Sequence, residues 1–218
     1  MEVQQLKLSQ ASSNNAQYDR KIRDLNQKNL TAQIQLDQER ARVEDYKKQL
    51  EDALGIKQGI LERGQSANLK VSLLNDELLC NSSIPPYMSS IGSHIRHILD
   101  FYDCIINRTS ESHVDLTLRK RNVLVETKCT EALKYYKGIT DKLNNVNYNF
   151  DEDIYVIDDL GNGKIKIKYT IGALFAQANS HTIHHYAIVN YIMYGLEVDF
   201  NDASFGYNPT TPNKILSS

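Results

Sequence analysis

The sequence predicts an all-α protein, a small helical bundle around one hydrophobic core, and three observations lead there. Apolar residues recur at three- and four-residue intervals in two long stretches, near residues 91–107 and 171–194, which is the spacing that lines one face of an α-helix. The 218 residues are 41% apolar and 24% charged, close to the averages of globular chains and enough for one domain with an appendage. Turn-forming residues fall between the periodic stretches, most sharply at Pro85 and Pro86.

Residues 1–49 form the appendage, a polar N-terminal helix. They are rich in Gln, Asn, Lys, Arg and Glu and contain neither proline nor glycine, so little in them opposes a helix. A seven-residue stripe runs through Ile22, Leu25, Asn29, Ala32, Leu36, Glu39, Val43, Tyr46, Leu50 and Ala53, with polar breaks at Asn29 and Glu39. Two readings stay open: a coiled-coil helix that makes a homodimer, or a lead into the first helix of the bundle. The first twenty residues, with Ser12, Ser13, Asn14 and Asn15, read as frayed.

Residues 50–218 carry the bundle. Leu54, Ile60, Leu61, Leu69, Leu73, Leu74 and Leu78 suit a first helix, or two short ones broken near Gly64. Residues 82–88 connect, and Ser89 and Ser90 offer a cap to the second helix. That helix runs from about Ile91 to Asn107, with Ile91, Ile95, Ile98, Tyr102 and Ile105 on one face. The third spans roughly Leu116 to Tyr136 on a weaker stripe. Ile154-Tyr-Val-Ile157 and Ile165-Lys-Ile-Lys-Tyr169 flank Asp158-Asp-Leu-Gly-Asn-Gly163, the pattern of a small β-hairpin inserted before the last helix.

The fourth helix, about Ile171 to Tyr194, has the clearest stripe: Ile171, Leu174, Ala178, His181, His185, Ile188 and Ile192. Gly195 supplies a stop. The tail, with Pro209 and Pro212, is extended, and its aromatics Phe200, Phe205 and Tyr207 are expected to pin it to the bundle.

A formal net charge of -2 and the lack of a dense basic face argue against nucleic acid as a partner. The N-terminus has no basic and apolar signal pattern and no apolar run approaches spanning length, so the expectation is a cytoplasmic protein with no membrane partner. Cys80, Cys104 and Cys129 form no Cys-x-x-Cys pair and read as reduced, partly buried thiols. Cys104, about two helical turns beyond His97, could also lie near a metal.

Five of the six histidines lie in two short segments, His94-Ile-Arg-His97 and His181-Thr-Ile-His-His185. Residues four apart share a helix face, so His181 and His185 can turn ring nitrogens to one ion, and a third imidazole from the second helix would complete a facial set. Neutral imidazole suits zinc, nickel, copper and iron, and three protein ligands leave open positions, as in catalytic sites. The competing reading is a set of satisfied interior histidines. The Glu of a His-Glu-x-x-His zinc-protease motif is absent after His181.

Three blocks, Ser90-Ile-Gly-Ser-His-Ile-Arg-His-Ile-Leu-Asp100, Ser180-His-Thr-Ile-His-His-Tyr-Ala-Ile188 and Phe205-Gly-Tyr-Asn-Pro-Thr-Thr-Pro212, together with Asp115, Arg119, Arg121 and Glu126, resemble an uncharacterised branch of the DinB-like family over about residues 50–215. The resemblance implies an up-down-down-up four-helix bundle in which three histidines hold a divalent metal, nickel or zinc. By position these are His97, His181 and His185. A helical wheel instead puts His94 nearer the centre of its apolar face, which keeps His94 as the alternate third ligand.

His94 and His184 then become the candidates to orient a ligand or move a proton as general base. Arg119, Arg121 and Glu126 are candidates to hold an anionic group of a substrate, with an Arg–Glu pair of purely structural role as the other reading of Glu126. The chain departs from the branch at Gly172-Ala-Leu174, where relatives tend to carry Arg-Glu, and in its longer N-terminal helix. By analogy the function is a metal-dependent enzyme of S-transferase or hydrolase type on a small-molecule substrate, with a low-molecular-weight thiol as co-substrate. The alternative is a non-catalytic bundle braced by its metal, acting as an interaction or structural module.

Overall fold

Helices dominate the chain, and a small three-stranded sheet accompanies them. The computed structural model describes residues 2–108, 112–145, 148–198, 202, 205–208 and 210, with the backbone alone at residues 2, 11, 50 and 53. The chain divides into two compact units, Met1–Asp52 and Ala53–Ser218. No helix of the described residues is long and apolar enough to cross a membrane.

The described residues of the first unit lie within helix α1 (Glu2–Ser72), which takes in residues 2–20 as well. Salt bridges one turn apart join Asp24 to Lys28 and Glu39 to Arg42, each at 2.7 Å, and Gln49 donates to Asp45 at 2.9 Å. Such pairs contribute roughly 0.2–0.5 kcal/mol each on a solvated helix. The described side chains of residues 3–48 are exposed, including Ile22, Leu25, Leu36, Val43 and Tyr46 of the seven-residue stripe. The Leu50 and Ala53 side chains, at its end, lie outside the description.

In the second unit α1 continues through Gly64 without a break. A Cβ on Gly64 would stand 2.8 Å from the Tyr136 ring, so this glycine serves close packing rather than termination. The helix ends instead at residues 73–75, where Asn75 Oδ1 accepts from the Leu78 amide at 2.8 Å and caps α2 (Asp76–Cys80).

Helix α3 (Ile91–Ile106) begins at Ser90, whose hydroxyl accepts from the Ser93 amide at 3.1 Å. It buries Ile91, Ile95, Ile98, Leu99, Phe101, Tyr102 and Ile105. The expected third helix is cut differently. Residues 113–115 form strand β1 (His113–Asp115), a loop follows, and helix resumes in α4 (Val123–Thr127) and α5 (Cys129–Asn145). Two local devices end the strand and start the helix: Asp115 Oδ1 accepts from the Thr117 amide at 2.8 Å, and Asn122 Oδ1 caps α4 through the Leu124 amide at 3.0 Å.

Strands β2 (Asp153–Asp159) and β3 (Lys164–Thr170) pair antiparallel from Asp153↔Thr170 to Asp159↔Lys164. Their turn uses positive φ at Gly161 and Gly163, and Asp159 Oδ1 accepts from both amides. Strand β1 adds to the hairpin in parallel, with Val114 opposite Val156. Ile154 and Val156 point into the core while Tyr155 faces out.

Helix α6 (Ile171–Gly195) follows directly, capped by Thr170, whose hydroxyl accepts from the Ala173 amide at 3.1 Å. Helix α3 packs against both α5 and α6. In the tail, Phe205 is buried and stacks on Tyr186, with ring centroids 4.8 Å apart, whereas Tyr207 is largely exposed. Phe200, Pro209 and Pro212 lie outside the described residues.

Candidate metal centre

Helices α3 and α6 bring their histidines together. One turn of α6 separates His181 from His185, and their Nε2 atoms lie 3.1 Å apart. From α3, His97 places its Nε2 2.8 Å from that of His181. All three donor atoms fall within 4.8 Å of one another, and among the described residues this is the one group of three or more His, Cys, Asp or Glu side chains so arranged. With bonds of ~2.0–2.1 Å and near-tetrahedral angles, donors on zinc stand roughly 3.3 Å apart. The two spacings of 2.8 and 3.1 Å lie near that figure, and the three residues can hold a metal ion.

Close packing seats the helix that carries His94 and His97: Gly92 lets α3 approach α4 so closely that a Cβ there would collide with the Glu126 carbonyl oxygen. On α6, Thr182 turns its hydroxyl to the Ala178 carbonyl at 2.8 Å and toward the Tyr102 hydroxyl of α3 at 3.3 Å. The Phe101 ring lies 5.1 Å from that of His181, forming an apolar wall on one side.

The environment keeps the rings neutral. Burial first, and the Arg119 guanidinium second, hold His97 at about 4 instead of 6.5. Burial and then the neighbouring imidazoles lower His185 to about 3. His181 shifts the same way, by burial and Arg119, with the charge of Asp158 opposing more weakly. Neutral imidazole is the form that offers a lone pair to a cation.

A second layer surrounds the three rings. His94 Nδ1 lies 2.8 Å from His185 Nδ1, and its Nε2 lies 2.8 Å from the Ser89 hydroxyl. His94 therefore stands behind His185, on the side away from the converging Nε2 atoms, which is where an orienting residue sits. His184 is exposed and meets His185 edge-on, at 5.3 Å between centroids. Arg119 Nη1 reaches His97 Nδ1 at 3.0 Å, while its Nε donates to the Leu116 carbonyl at 2.9 Å.

The remaining singled-out residues lie further from the rings. Glu126 accepts from Arg96 Nε at 2.5 Å, and Arg96 Nη1 donates to Asp100, also at 2.5 Å. Asp100 is buried and accepts further bonds from the Tyr135 hydroxyl and the Arg121 amide. Arg121 thus acts here through its backbone, at a positive φ of 49°. Cys104 does not join the histidines; its thiol turns to the Leu118 carbonyl at 3.8 Å, and burial pushes it up to about 11. Arg96 escaped the sequence reading, although its four-residue spacing from Asp100 is the signature of an ion pair along a helix.

Comparison of the chain with protein-family models, with curated proteins and with solved structures finds no match.

Proposed function

We propose that His97, His181 and His185 hold a divalent cation, zinc or nickel, through their Nε2 atoms, and that the cation carries out hydrolase or S-transferase chemistry on a small molecule. The observation that carries this reading is the convergence of three neutral imidazole nitrogens from two helices on one point. Three protein ligands leave room for water or a small thiol, whose pKa a bound cation lowers toward neutrality. These residues belong to the sequence blocks that resemble DinB-like proteins, and on that resemblance we infer a four-helix bundle of that type for residues 50–218. In this reading His94 orients His185, and exposed His184 is the ring with access to solvent protons.

Metal analysis of untagged protein tests the site. Wild type is expected to retain a zinc or nickel ion through dialysis, and His97→Ala and His185→Ala to lose it. Equal metal content in all three proteins would retire the site. Metal-dependent turnover of a thiol-containing substrate then separates an enzyme from a bundle that its cation merely braces.

The exposed stripe of the first unit supports a second inference, pairing with another copy of the chain. Ile22, Leu25, Leu36, Val43 and Tyr46 follow the alternating three-four spacing of a coiled-coil seam and are each 46% exposed or more. Sedimentation of the full chain across a concentration series tests the homodimer, and a constant monomer mass refutes it.

A further inference from the structure

We propose that Arg119 reads an anionic group on the molecule that binds at the metal centre, and that uptake of the cation releases Arg119 from His97 for this task. The inference rests on the cation site described above and names the class of ligand it takes.

The first argument is proton bookkeeping on His97. A guanidinium only donates, so with Arg119 Nη1 at 3.0 Å the Nδ1 atom of His97 must accept. A neutral imidazole carries one N–H, so that proton sits on Nε2, facing His181 Nε2 at 2.8 Å. A cation on His97 Nε2 moves the proton to Nδ1, where it would confront a donor. The Arg119–His97 hydrogen bond and a cation held by neutral His97 therefore exclude one another. No net charge on the ring changes in this exchange; only the tautomer does.

The second argument is charge. Three neutral imidazoles leave a divalent cation with its full charge, and no carboxylate touches the rings among the described residues. Asp158 acts on His181 only at longer range. Asp100 and Glu126 are committed to Arg96. Arg119 itself has no carboxylate partner among the described residues, and it is half-buried. Its Nε stays anchored on the Leu116 carbonyl, so release from His97 turns the outer nitrogens of a held guanidinium to an incoming group. A planar fork of this kind matches carboxylate or phosphate oxygens.

Cobalt-substituted full-length protein tests this, with acetate as the anionic probe and imidazole as the neutral one, each titrated against the visible spectrum of the bound cobalt. The readout is the ratio of the two affinities in wild type, Arg119→Gln and Arg119→Lys. The expected result is a ratio that shifts against acetate on the order of tenfold in Arg119→Gln, the scale of one lost charge-assisted hydrogen bond, and by less in Arg119→Lys. An unchanged ratio in cobalt-loaded Arg119→Gln overturns the role of Arg119 and leaves the cation site standing. Failure of wild type to take up cobalt overturns both. An Arg119→Gln protein that folds yet no longer takes up cobalt assigns Arg119 to support of His97, and that also overturns the proposal.

Discussion

The Nδ1 atoms of His94 and His185 stand 2.8 Å apart, and the Ser89 hydroxyl lies 2.8 Å from the far nitrogen of His94. This relay fixes the orientation of His185 about its own axis, so that Nε2 faces His97 and His181. Orienting partners of this kind are worth about 10–100-fold in metal affinity. His94→Phe is expected to weaken zinc retention by that factor without abolishing it. Competition with a coloured chelator measures the change, and a loss as complete as that of His185→Ala would make His94 a ligand instead.

Acid should destabilise the cation-free protein early. His97 and His185 are held at about 4 and about 3 in the folded chain, against 6.5 for an ordinary histidine. Between those values the unfolded chain takes up protons that the folded chain refuses, so stability is fully present above about 6.5 and declines as pH falls toward 4 and 3. Denaturant midpoints between pH 7 and 5, above the range where ordinary carboxylates titrate, are expected to fall. The same series on His185→Asn should be flatter.

Arg96 joins Asp100 and Glu126, and the Asp100 side chain is fully buried. Removing one partner of a buried pair strands the other, typically at a cost of about 3–5 kcal/mol. The Tyr135 hydroxyl, 3.0 Å from Asp100, retains part of the compensation. Arg96→Met is therefore expected to lose about 3 kcal/mol in urea unfolding, and Glu126→Gln markedly less, because Glu126 is more exposed.

Gly92 sits where α3 meets the backbone of α4, and the Glu126 carbonyl leaves no space for a methyl group. Gly92→Ala should cost roughly 1–3 kcal/mol of stability through forced displacement, despite alanine's better helix propensity. Since His94 and His97 ride on α3, cation affinity should fall with it. A stabilised Gly92→Ala protein would contradict the contact.

Leu25 and Leu36 lie on the exposed stripe of the N-terminal helix, 55% and 46% accessible. If the chain pairs through this stripe, as proposed, Leu25→Glu with Leu36→Glu converts that dimer to a monomer and leaves the helix content unchanged. Light scattering and circular dichroism on the full chain read both quantities.

Local chemistry made much of this protein legible from its residues. The three-four stripe of α6 set His181 and His185 on one face, Ser89 and Ser90 marked the start of α3, where Ser90 is the cap, and Gly161 and Gly163 marked the hairpin turn, because each depends on neighbours a few positions away. The start of the third helix was not legible: residues 116–122, expected to open it, instead lead out of strand β1, where Val114 pairs with Val156 far along the chain, and helix begins only at Val123. Gly64, which read as a helix break, is explained by Tyr136 arriving from α5. The choice between His94 and His97 was of the same kind. Both lie on α3 one turn apart, and only the rotation of that helix against α6 turns His97 Nε2 toward His181 and His94 toward the back of His185. Spacing along a helix determines which side chains share a face, but packing against a second helix decides what that face meets.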